Sequence, residues 1–242
     1  MTRSYLVLDL ETIVDPEIPT QDESGVAPPH YQKPVAFGVL WLDEAYACKR
    51  LGLIGEGKDE PEMLRDFGEF LERWGPDLVT WNGRRFDLPV LVYRALRHGI
   101  PLGRYYARGD YRYRYTPEGH LDLCDFLAEH GAARLPTLDT AARLIGLPGK
   151  AGIDGKMVGP LFEQGRLVEI QRYCLCDVVQ TAFLFLRAQL LRGILDVVAY
   201  QRAAEDLYRG LKDDARLHAI WNSPDLSLDR LLLRGRPAGE KA

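Results

Sequence analysis

The sequence predicts an α/β fold, a mixed central sheet flanked by helices. Short apolar runs at residues 5–10, 35–42, 45–53 and 78–81 have the length and composition of strands. Between and after them, apolar residues recur at helical spacing, as at Met63, Leu64, Phe67, Phe70 and Leu71. The order of three strands, helix, strand, helix, strand and more helices suits a sheet with helices on its faces.

Each element has its own signal. Residues 5–10 read as a buried strand, and residues 14–34, rich in Pro, Asp and Glu, as a long loop. Strands at 35–42 and 45–53 are joined by the turn residues Asp43 and Glu44. A helix is expected over 61–74, and another over 87–98 with Pro89 in its first turn. Asp122 reads as the cap of a short helix after a strand end, and this explains the His120/Asp122 pair better than a metal site. Thr137 caps a helix that stops at Gly146. Residues 167–192 form a long amphipathic helix and 195–221 one or two more, packing on the core or on a second subunit. The expected organisation is one domain over 1–222, helical from about 193, with a loosely held polar tail over 223–242.

Composition narrows the function. A 242-residue chain, 46% hydrophobic and with a formal net charge of −4, does not coat nucleic acid by bulk charge. No segment reads as long enough to span a membrane, and the N-terminus turns acidic at Asp9, unlike a signal peptide. The four cysteines show neither a disulfide framework nor zinc spacing, so a reducing cytoplasm is the expected compartment.

Acids in the wrong place carry the chemistry. Asp9 and Glu11 interrupt an apolar strand, and residues two apart on a strand share a face about 6.6–6.8 Å apart. Asp87 follows the Asn82-Gly83 turn and opens a helix. Tyr173 and Asp177, four apart on a helix, also share a face. Burying several carboxylates together is costly unless cations neutralise them, and hard oxygen donors suit Mg²⁺ or Mn²⁺.

These three pieces, Asp9-Leu10-Glu11, Asn82 through Phe86-Asp87, and Tyr173 through Asp177, resemble the motifs of the DEDD 3′–5′ exonucleases, tyrosine subgroup, across roughly residues 5–190. The string from Trp81 to Pro89, and residues 150–158, resemble the stand-alone exonucleases related to the proofreading domain of family B DNA polymerases. The resemblance implies a ribonuclease H-like fold and two divalent cations, Mg²⁺ or Mn²⁺, held by Asp9, Glu11, Asp87 and Asp177. It implies that Tyr173 orients the attacking water. It also implies release of nucleoside monophosphates from single-stranded 3′ ends, with DNA preferred to RNA and DNA repair a natural setting.

Substrate contacts are expected from Asn82, Phe86, Arg112, Arg114 and Lys150. From Tyr111 onward the alternation predicts a strand with three tyrosines on one face and Arg112 and Arg114 on the other. Those tyrosines either stack on bases or pack on the core. The rival readings are a catalytically silent nucleic-acid-binding module of the same fold, and a phosphatase using Asp9 as nucleophile. The first would lose a motif acid and the second would need Asp at position 11; neither is the case.

Overall fold

A computed structural model describes residues 3–18, 27–150 and 154–235. Its strands are β1 (Ser4–Val14), β2 (Gln32–Asp43), β3 (Cys48–Leu53), β4 (Asp77–Thr80) and β5 (His120–Asp122). They lie in the order β3-β2-β1-β4-β5, antiparallel from β3 to β1 and parallel from β1 to β5. On one face lie α1 (Glu60–Trp74), α2 (Asp87–His98), α3 (Gly103–Ala107) and α4 (Gly109–Arg112). The other face carries α5 (Leu123–Leu127), α6 (Leu138–Leu144), α7 (Val158–Glu163), α8 (Leu167–Leu191), α9 (Val197–Leu211), α10 (His218–Trp221) and α11 (Leu228–Leu231).

The alternation of β1 organises both cores. Leu6, Leu8 and Leu10 face α1 and α2, where Phe37, Phe67 and Leu91 meet them. Tyr5 and Val7 face α8, against Val179 and Phe185. Asp9 and Glu11 continue that second face, so the α8 side of β1 changes from apolar to acidic after Val7.

Helix α8 is seated closely on the sheet at this point. A Cβ on Gly38 of β2 would lie 2.8 Å from Cys174 Sγ and 3.0 Å from Val178 Cγ2. Gly38 is the register partner of Asp9. The missing side chain lets α8 approach the strand pair where the acids begin.

Two expected caps are met: Asp122 caps α5 and Thr137 caps α6. The structure adds a capping box of Asp59 and Glu62 on α1. Other expectations need correction. β1 runs on through Glu11 to Val14, because pairing with β2 continues to Gln32 past a register shift at Glu11/Thr12. Of the expected 14–34 loop, residues 19–26 lie outside the described residues and Pro29–Tyr31 is a 3₁₀ turn.

The 111–115 strand does not form. Two short helices bury Tyr105 and Tyr111 together, and the Tyr111 hydroxyl donates to Pro76 O at 2.7 Å. The tail packs as far as it is described: Leu231, Leu232 and Leu233 are buried, and Tyr200 donates to Leu231 O at 2.5 Å.

Helix α8 is long and apolar enough by composition to cross a membrane, contrary to the expectation, but 78% of its most apolar window is buried inside the protein. It is the core helix of the fold.

Gly38→Ala is expected to destabilise the protein by about 1–3 kcal/mol in urea unfolding, because α8 must shift outward. Adding Cys174→Ala, which removes the nearer obstruction, should recover part of that loss. An unchanged midpoint for Gly38→Ala would show that the approach is not tight.

Candidate active site

Asp9 and Glu11 leave β1 on the α8 side, and Glu11 is only 7% exposed. Cys174 seats α8 against them. Its thiol accepts from Gly38 N at 3.2 Å and lies 3.4 Å from Asp9 O. One residue before and three after, Tyr173 and Asp177 extend along the same helix; the side chains of both are partly exposed. Gln180, a further turn on, donates to Asp177 Oδ1 at 3.4 Å and accepts from Gly149 N at 2.9 Å.

Asp87 arrives from the opposite face. At the start of α2, its Oδ1 accepts from Leu10 N at 2.8 Å. β1 pairs with β4 only through Val7, so the carboxylate takes over from a neighbouring strand at the residue between Asp9 and Glu11.

A turn makes this possible. Asn82 is in the left-handed region (φ 63°), and a Cβ on Gly83 would lie 2.6 Å from Thr80 Cβ. The buried Asp122 carboxylate fastens the turn by accepting from Asn82 N and Arg84 N, both at 2.9 Å. Arg84 in turn donates to Tyr113 O at 3.0 Å and His120 O at 2.6 Å. Asp122, Arg84 and Gln180 are the residues sequence reasoning missed as supports. Asp122 was visible only as a helix cap, and the other two carry no local signal.

Electrostatics mark the four acids out. Burial, then Asp87, Glu11 and Asp177, push Asp9 well above the usual carboxylate range. Burial, then Asp177 and Asp87, do the same to Glu11. Burial pushes Asp87 and Asp177 each up to about 7, against hydrogen bonds that favour the charged form. None of the four forms an ion pair among the described residues, and Glu11 makes no side-chain hydrogen bond among them. Burial, then Asp177, Glu11 and Asp9, also raise Tyr173, whose hydroxyl keeps its proton.

This donor set fits divalent cations. It is rich in hard carboxylate oxygens and carries negative charge that the protein leaves unbalanced. Asp9, Glu11 and Cys174 have ligand atoms within 4.8 Å of one another. The thiol is turned toward Gly38 N, and burial holds it protonated, so the oxygens are the donors that matter.

The expected substrate contacts fare differently. Arg114 is committed to Asp125, with Nε at 2.8 Å and Nη2 at 2.6 Å, and to His130 O. It cannot reach a phosphate without breaking that pair. Arg112 is exposed and lies over the Tyr106 ring. Phe86 is half-buried against the α1/α2 core. Lys150 pairs with Asp154 at 2.8 Å, although its charge still favours ionised Asp177. Asn82 fixes the turn by its backbone.

The family described as predicted 3′–5′ exonucleases related to the exonuclease domain of PolB matches residues 25–223. The chain belongs to that family. The matched stretch contains Asp87, Tyr173 and Asp177 and begins after Asp9 and Glu11, so the geometry of β1 is what joins the first pair to the others. Among solved structures, the exonuclease is similar to the family B DNA polymerase from the hyperthermophilic archaeon Pyrobaculum calidifontis, with a TM-score of 0.56 and 20% identity. The likeness covers 96% of this chain and 29% of the polymerase, and it shows the fold, a ribonuclease H-like mixed sheet. Comparison with curated proteins returns no match.

The acid cluster predicts a linkage. Asp87 and Asp177 have folded values of about 7, above the unfolded value of ~3.9, so metal-free folded protein binds more protons between these limits. The stability they contribute is complete below about pH 4 and is lost as pH rises through about 7. Asp177→Asn should therefore raise the Tm of EDTA-treated protein at pH 8, by a margin that shrinks toward pH 5. It should also remove most of the Tm gain given by Mn²⁺. A margin independent of pH would contradict this.

Proposed function

We propose that the protein is a metal-dependent 3′–5′ exonuclease that releases nucleoside monophosphates from single-stranded ends, with DNA preferred to RNA. The observation that carries this is the convergence of Asp9, Glu11, Asp87 and Asp177, from β1, α2 and α8, with no protein cation paired to them among the described residues. The four would hold two divalent ions, Mg²⁺ or Mn²⁺. When bound, such ions supply the Lewis acidity for in-line displacement at phosphorus.

The chain's own residues do the rest. Asp87 holds β1 at Leu10 N, which fixes Asp9 and Glu11 on either side of that residue. Tyr173 retains its hydroxyl proton at neutral pH and shares it with the Asp177 carboxylate, so it takes no proton from the attacking water and orients it through the hydroxyl oxygen. Gln180 and the loop at Gly149 steady Asp177. The preference for DNA draws its support from the fold shared with a DNA polymerase. The silent binding module is disfavoured, since every motif acid is present and no lysine or arginine has replaced a metal among the described residues.

The test uses 5′-labelled single-stranded DNA and RNA of matched sequence with Mg²⁺, Mn²⁺ or EDTA. A metal-dependent ladder shortening from the 3′ end, lost in Asp9→Ala, is expected. Tyr173→Phe should lower kcat by roughly 10- to 100-fold with little change in KM, as loss of positioning does. Intact substrate in every lane with wild-type protein would overturn the exonuclease reading.

A further inference from the structure

Tyr113 and Tyr115 are 58% and 62% exposed, yet they are not loose. Their rings meet edge to face at 6.0 Å, and Tyr115 meets the His130 ring in the same way at 5.2 Å. The backbone beneath is tied from both sides. Arg84 holds Tyr113 O, while Arg114 between the two tyrosines clamps Asp125 and His130 O. Glu129 and His130 are both in the left-handed region, at φ 49° and 54°, a conformation disfavoured for residues with side chains. That turn presents the His130 ring to Tyr115, with Nδ1 3.0 Å from Asp125 Oδ2. The segment therefore shows two exposed tyrosine rings, backed by the half-buried His130 ring, on a braced backbone.

We propose that Tyr113, Tyr115 and His130 form a stacking platform for unpaired bases of the strand being degraded. This rests on the exonuclease reading. Position favours it: the Asp122 carboxylate that fastens the turn before Asp87 ends β5, and Arg84 links that turn directly to Tyr113. β1, β4 and β5 are successive neighbours, so the end of β5 lies about 10 Å across the sheet from the acids on β1.

Charge favours it too. The acids of the segment are engaged, Asp125 by Arg114, Asp110 by Arg108 and Glu118 by the Thr116 hydroxyl, leaving exposed Glu129 without a partner among the described residues. Arg85, Arg112 and Arg134 are exposed and have no carboxylate partner among the described residues. Rings fixed in advance suit a single strand, because a base stacked inside a duplex offers no free face.

The experiment measures binding by fluorescence anisotropy in the Asp9→Ala background, so that no strand is cut. A labelled trinucleotide, a 12-nucleotide single strand and a blunt duplex are compared. Tyr113→Ala/Tyr115→Ala should erase the affinity gained between the trinucleotide and the 12-mer, roughly a ten- to hundredfold loss on the 12-mer. Affinity for the duplex should not change. Tyr113→Phe/Tyr115→Phe should keep the gain, since stacking needs the ring and not the hydroxyl. Equal 12-mer affinity for the alanine variant, or an equal loss on the duplex, would overturn the platform. If wild-type protein fails to degrade any strand, the exonuclease reading falls, while the binding series still decides the platform.

Discussion

Four carboxylates gathered beside the middle of β1 are the constraint around which this molecule is built. Glu11 is buried and Asp9 half-buried, because β1 is the central strand and α8 lies across their face. Asp87 is held there too, since it supplies the hydrogen bond that Leu10 N would otherwise lack. Close approach makes the repulsion worse, and the missing side chain of Gly38 is what permits it. A fold that concentrates charge in this way is incomplete until cations or protons neutralise it.

The supports around the site are themselves polar and buried. Arg94 lies between Asp15 and Glu60, joining the exit of β1 to α1 and α2. Asp122 collects backbone donors from Asn82, Arg84 and Asp125. His120 accepts or donates with Thr80 at 2.8 Å, and burial followed by the Arg84 charge keeps it neutral. Arg94 and Asp122 each hold a segment whose backbone leaves regular structure, whereas His120 ties two neighbouring strands. Such networks fix geometry more than they add stability, because desolvation offsets much of the attraction.

The exonuclease thus divides its arginines by task. Arg84, Arg94, Arg108 and Arg114 are spent on internal carbonyls and carboxylates. Arg85, Arg112 and Arg134 remain outward. The net charge of −4 conceals this division, since many of the cations are internal struts.

The sequence alone determined the fold class, the helix boundaries with strong caps, and the five motif residues. Asp122 and Thr137 as caps, and the apolar periods, act locally, so their meaning is readable without partners. The spacings of Asp9 with Glu11 and of Tyr173 with Asp177 are likewise set within single elements. Other features needed the tertiary structure. The 111–115 stretch alternates like a strand, but Tyr105 and Tyr111 both found the core and the chain turned helical up to Arg112. Arg114 looked like a phosphate ligand until Asp125, eleven residues away, took both its donors. Gln180 acquires its role only because Gly149 folds back onto α8. Local propensity and spacing act over a few residues, whereas partnership between distant polar groups is decided by which surfaces the packed core leaves adjacent.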